Sequence, residues 1–228
     1  MKKNLLLAGL LMLAATVANA TLYTYSFTGI NQAIPDGNPG GYANVQTVNL
    51  GTLPADGTTT EINDINVSLN ISGGYNGDLY GYLVHSSGFS VLINRIGRDG
   101  SNPFGNTGAG INVTLDDQGG SDIHVATFGA VSGTYAVDGR TTNPSTVVTG
   151  DSQTALLSSF NTGNANGTWT LFLADVAGGD VSTLVSWGLT ISVVPEPTTW
   201  ALIGFALMVV GIALLRWVMS WRAGKAGA

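Results

Sequence analysis

The stretch "GTWTLFLADVAGGDVSTLVSWGLTISVV" (167–194) decides how this chain folds. In its first half Trp169, Leu171 and Leu173 fall on alternate positions. In its second half Trp187, Leu189, Ile191 and Val193 do the same. Successive side chains of a strand point to opposite sides, so apolar residues at every second position line one face. Two such strands, each with a tryptophan on its apolar face, read as parts of one core anchored by Trp169 and Trp187.

The same period recurs upstream. Ile65, Val67, Leu69 and Ile71 alternate with Asn66, Ser68 and Asn70, then the turn "SGGYNGD" leads into "LYGYLV" (79–84) and "FSVLI" (89–93). That spacing predicts successive antiparallel strands. Residues 97–110, "GRDGSNPFGNTGAG", hold turn formers and no periodic face, so a long loop is expected there. "INVTL" (111–115) and "IHVATF" (123–128) read as further short strands, and "SQTALLSSF" (152–160) is the best helical candidate before the tail. Short strands separated by glycine-rich turns, with no internal repeat, predict an all-β sandwich. The pattern leaves the place of residues 21–60 open.

The ends are of another kind. Lys2 and Lys3 precede an apolar run from Leu5 to about Val17 and then Ala18-Asn19-Ala20, the make-up of a signal peptide over 1–20 cut by signal peptidase. At the other end Trp200 to Leu215 is apolar throughout. As a helix over about 200–219 it would span roughly 30 Å, the thickness of a bilayer core. Arg216 can reach the interface, and Arg222 and Lys225 mark a cytoplasmic side. Of the 14 acidic residues, 13 lie within 21–194, where the only basic ones are Arg95, Arg98 and Arg140, a local charge of −10. Such a surface repels nucleic acid and tolerates divalent cations. Cysteine is absent, so an exported domain would be held by burial and, where acids converge, by metal.

Candidate sites follow from residue type. Asp78, Asp116, Asp117, Asp175 and Asp180 fall at strand ends or turns, where carboxylates and loop carbonyls can supply the six to eight oxygens of Ca2+. The competing reading is solvated, turn-forming aspartate. Tyr80 and Tyr82 share a strand face and offer a platform for stacking sugars, although strand aromatics more often pack a core. His85 and His124 are the only histidines, and no nucleophile motif such as G-x-S-x-G accompanies them, so the chain is read as non-catalytic. Sequons at Asn66, Asn70, Asn112 and Asn166 reflect composition more than glycosylation.

Two resemblances enter at these residues. The segments 62–93 and 157–191, about a third of the chain, resemble the P domain (P/Homo B) that accompanies kexin-like and other serine proteases. The matching pieces are Gly77-Asp78-Leu79, the "HSSG" turn, Asn166-Gly167-Thr168-Trp169, and Asp180 followed by Leu184-x-x-Trp187-x-Leu189. The resemblance implies a jelly-roll-like β-sandwich over 21–193. The protease triad of that family lies in a separate domain for which this chain has no room. The tail, 194–228, resembles the PEP-CTERM sorting signal of Gram-negative bacteria: Val194-Pro195-Glu196-Pro197, a helix, then basic residues. It implies transient residence in the inner membrane, processing by an exosortase at Pro-Glu-Pro, and delivery to the cell surface or matrix, with exopolysaccharide a partner. Two prolines keep the segment extended and short of backbone donors, hence open to a processing enzyme. The expected function is therefore a structural or adhesive surface protein. The alternative is a stand-alone P domain accessory to a separately encoded subtilisin-like protease.

Overall fold

The computed structural model describes residues 20–51, 61–126 and 128–193, the backbone of 197–225, and within that last segment the side chains of 203–217 and 219. Two sheets face each other. The first is ordered β1 (Thr21–Phe27), β10 (Ser182–Val193), β4 (Ile62–Gly73), β7 (Ile111–Leu115), β8 (Val131–Tyr135), with the short β2 (Gln32–Ala33) also pairing with β10. The second is ordered β3 (Asn38–Val48), β9 (Gly167–Asp175), β5 (Leu79–His85), β6 (Gly88–Asn94). Every pairing is antiparallel except β7 with β8. A helix, α1 (Pro197–Lys225), follows.

The period-2 residues build the core. From the first sheet Leu69, Ile71, Trp187, Leu189 and Ile191 point inward; Trp169, Leu171, Leu173, Leu79 and Leu83 do so from the second, and all are buried. The Nε1–H of Trp169 donates to the Ala165 carbonyl at 3.0 Å, and that of Trp187 donates to Asn44 Oδ1 at 2.8 Å. Each ring is thus buried without stranding its polar atom.

Three places depart from expectation or extend it. The described residues of 123–128 do not form a strand. Ile123–Val125 is a 3-10 turn, because the Asp122 side chain accepts the His124 N–H at 2.9 Å and starts a turn instead of an extended segment. The helical candidate at 152–160 shrinks to the 3-10 turn Leu157–Phe160, whose Leu157 and Phe160 are buried. Residues 21–48 belong to the sandwich: β1 and β3 are the outer strands of the two sheets, and Tyr23, Tyr25 and Phe27 pack against the core from the edge.

Candidate functional site

The outer face of the second sheet is aromatic. Leu79, Gly81 and Leu83 point into the core, so Tyr80, Tyr82 and Val84 must point out. Phe172 lies opposite Tyr82 on β9, and their rings stack at 4.7 Å and 17°. Tyr80 and Phe89 stand at 5.9 and 5.3 Å from the same Tyr82 ring, edge-on and tilted. Val45, 57 % exposed, extends the apolar area onto β3. The predicted shared face of Tyr80 and Tyr82 is present. Phe172 and Phe89 complete it, and the sequence held a signal for the first: Phe172 is the aromatic of β9 placed off the apolar parity. These rings form a contiguous aromatic cluster on the outer face of the second sheet.

The five candidate aspartates divide between the two ends of the sandwich. Asp78 and Asp175 meet where β5 pairs with β9, and Asp180 lies in the loop to β10. Asp36, which sequence reading passed over, joins them: the β2–β10 pairing brings it across, and both its carboxylate oxygens accept the Gly179 N–H at 3.1 Å. Arg95 bonds Asp78 at 3.3 Å and also donates to the Gly77 carbonyl. Burial, together with Asp78 and Asp36, pushes the Asp175 carboxyl up to about 6. Asp116 and Asp117 stand at the opposite end, close enough to Asp64 to raise its pKa after burial has done so. Asp117 caps the Leu157–Phe160 turn, accepting the Leu157 and Ser158 N–H groups at 3.1 and 2.8 Å. Among the described residues no three acids or histidines form a metal-holding group.

His124 is fully buried in an ionic network that no local pattern announces. Its Nδ1 meets Asp138 Oδ2 at 2.7 Å and its Nε2 meets the Arg98 carbonyl at 2.8 Å. Both partners are acceptors, so both ring nitrogens donate and the ring is an imidazolium. Burial works to lower its pKa, but the hydrogen bond and charge of Asp138 raise it above the usual value. Arg140 bridges Asp138 at 3.3 Å and Asp122 at 2.7 Å. The network staples three turns of the glycine-rich middle to the end of β6, since Asp138 Oδ2 also accepts the Asn94 N–H at 3.1 Å. His85 differs. It stacks on Trp169 at 4.2 Å and 8°, with Nδ1 at 2.7 Å from the Ser87 hydroxyl and Nε2 at 3.3 Å from the Asn166 carbonyl. Burial lowers its pKa. Ser90 gives its hydroxyl to the Ala155 carbonyl. Neither ring has a nucleophile on one nitrogen and a carboxylate on the other, the arrangement of a hydrolytic triad.

In the tail, Phe205, Leu207, Leu215, Trp217 and Met219 are exposed, as are most described side chains of α1, and none of those described is buried. Arg216 is exposed among them. Taken over the described residues, no helix is long and apolar enough to cross a membrane. Residues 1–19 and Val194, Pro195 and Glu196 of the sorting motif lie outside the described residues, as do the side chains of Pro197, Arg222 and Lys225.

No family model matches this chain. No curated protein matches it either. Among solved structures, it is similar to a chain of the crystal structure of the Aeromonas sobria serine protease in complex with its chaperone, at 18% identity and a TM-score of 0.38. The similarity covers 77% of this chain and 27% of that one.

Proposed function

We propose that this chain is an exported, non-catalytic surface or matrix module of a Gram-negative bacterium: a β-sandwich held at the inner membrane by α1 and then processed by an exosortase at Pro195–Pro197. Its aromatic face would serve a structural or adhesive role on exopolysaccharide. The observation that carries the reading is α1 itself, a 29-residue helix whose described side chains are apolar on every side apart from Arg216, leaving no continuous polar face to turn toward water. The strand that leads to it, β10, pairs with β1, the first strand after Ala20, so signal peptidase and exosortase would act near one end of the domain. Tail deletion tests it. Chains lacking 194–228 should appear free in the medium, whereas the full chain passes through the membrane fraction and loses mass at the motif. Unchanged localisation on deletion would sink the reading. Tyr82→Ala should weaken retention on the host's exopolysaccharide while leaving sorting intact.

A second reading follows from the resemblance of 62–93 and 157–191 to P domains, since those segments form the neighbouring strands β4, β5, β6, β9 and β10. On it, the module would stabilise or target a separately encoded subtilisin-like protease. Recovery of such a protease with the chain from native cells, lost on substitution at the sandwich surface, would favour this second role.

A further inference from the structure

One end of the sandwich buries oxygen atoms that no protein donor reaches. In β9 the inward positions run Trp169, Leu171, Leu173 and then Asp175, so the period that builds the core also turns a carboxylate inward. Asp175 is completely buried. Its Oδ1 accepts the Ala177 N–H at 3.3 Å, and its Oδ2 has no partner. In β10 the inward series begins with Ser182, also completely buried, whose hydroxyl has no partner. Asn76 is a third case: its amide nitrogen donates to the Gly110 and Gly129 carbonyls, while its Oδ1 has none.

The three residues lie on segments that meet at this end. Asp175 pairs with Leu79, Ser182 pairs with Gly73, and residues 74–78, which include Asn76, join those two partners. Asp36 and Asp180 rim the same end, and Asp78 adjoins it, with Arg95 the counter-charge bonded to Asp78. Ionised, these groups sum to a local charge of −3. Burying a carboxylate oxygen without a donor is costly, and native chains seldom leave such an atom without a purpose.

We propose that this end of the sandwich binds one calcium ion, with the Asp175 carboxylate as its innermost ligand. Ser182 Oγ, Asn76 Oδ1 and oxygens of the surrounding loops are the further donors. The donors are all oxygen, one carboxylate and the rest neutral, which selects a hard cation. Two stand at strand ends and one in a 3-10 turn, leaving room for loop carbonyls and a coordination number above six, which suits calcium over magnesium. The proposal does not rest on the sorting or adhesion reading.

The full chain, purified in detergent and stripped with EGTA, is titrated with CaCl2 in a calorimeter and melted with and without the ion, with MgCl2 in parallel. Wild type should take up one calcium per chain and melt several degrees higher in millimolar calcium, because the ion binds only the folded state. Asp175→Asn should bind at least tenfold more weakly, and Ser182→Ala should bind measurably more weakly should the first variant not fold. Asp116→Asn, at the far end, should bind as wild type does. No heat and no melting shift with wild type overturns the proposal. So does unchanged affinity in Asp175→Asn, or magnesium binding as tight as calcium.

Discussion

Replacing Asp138 by Ala should be among the most damaging single changes in the sandwich. The carboxylate is fully buried and serves His124, Arg140 and the Asn94 N–H together. Its loss leaves a buried imidazolium unpaired, and breaking a buried ion pair from one side costs about 3–5 kcal/mol. His124 can limit that cost by shedding its proton, and Arg140 keeps Asp122 at 2.7 Å, so the lower end, roughly 3 kcal/mol, is expected. For a domain of this size each kcal/mol moves Tm by about 2–4 °C, which predicts a fall of roughly 6–12 °C. The assay is a near-UV circular dichroism melt of the full chain in detergent, repeated from pH 5.5 to 9. The sign of the pH effect follows from the raised pKa of His124. Its contribution is complete below the unfolded value of 6.5 and is lost as pH rises through the higher folded value. Wild type and Asp138→Ala should therefore differ most near pH 6, and the gap should narrow at alkaline pH without closing, because Arg140 and the Asn94 N–H still lose their partner. A Tm change under 2 °C at pH 6, or a gap that widens with pH, would refute the assignment of a buried imidazolium.

Further outcomes follow from packing and charge. Trp169→Ala removes a fully buried indole stacked on His85 and met at a tilt by Phe160, and should cost about 3–5 kcal/mol by denaturant titration. Gly108→Ala would place a Cβ 1.9 Å from the Gly129 carbonyl oxygen, a backbone collision with no room to relax, so Tm should fall or folding fail. Gly150→Ala meets nothing within 4 Å and should stay within about 0.5 kcal/mol of wild type. In EGTA at pH 7, Asp175→Asn should stabilise the chain by up to ~3 kcal/mol, since the carboxyl rises from 3.8 to about 6 on folding. Because that folded value is raised, the wild-type deficit should disappear as pH falls from 6 toward 4, which an acid series of melts reads directly.

What local sequence could reveal was set by period. Strands with strict alternation, such as 65–71, 167–175 and 186–193, announce both their type and their buried face, and Trp169 and Trp187 sit where alternation puts them. The edge strand β3 hides because Pro39, Gly40 and Gly41 interrupt it. Gly41, at φ 54°, marks a bulge where a Cβ would strike the Leu173 carbonyl. β8 hides in "VSGTY", with one buried residue and a glycine at φ 111°. Ile123 to Val125 imitates a strand because its turn is made by a side-chain cap, not by glycine or proline. The buried network and the gathering of Asp36 with Asp175 were beyond reach for another reason. His124 and Asp138 are 14 positions apart and Asp36 and Asp175 roughly 140, and only the completed sheet order brings those pairs together.

The pairing of β1 with β10 sets how the domain responds to pulling. Thr21 lies beside Val193 and Phe27 beside Trp187, so the two strands run antiparallel and their outer ends share one corner. Tension between residues 21 and 193 would load the rungs of this ladder one at a time, peeling it open like a zipper, because the bonds of an antiparallel pair lie across the strands. Such a geometry yields at low force and would strip the edge strand before the core gives way.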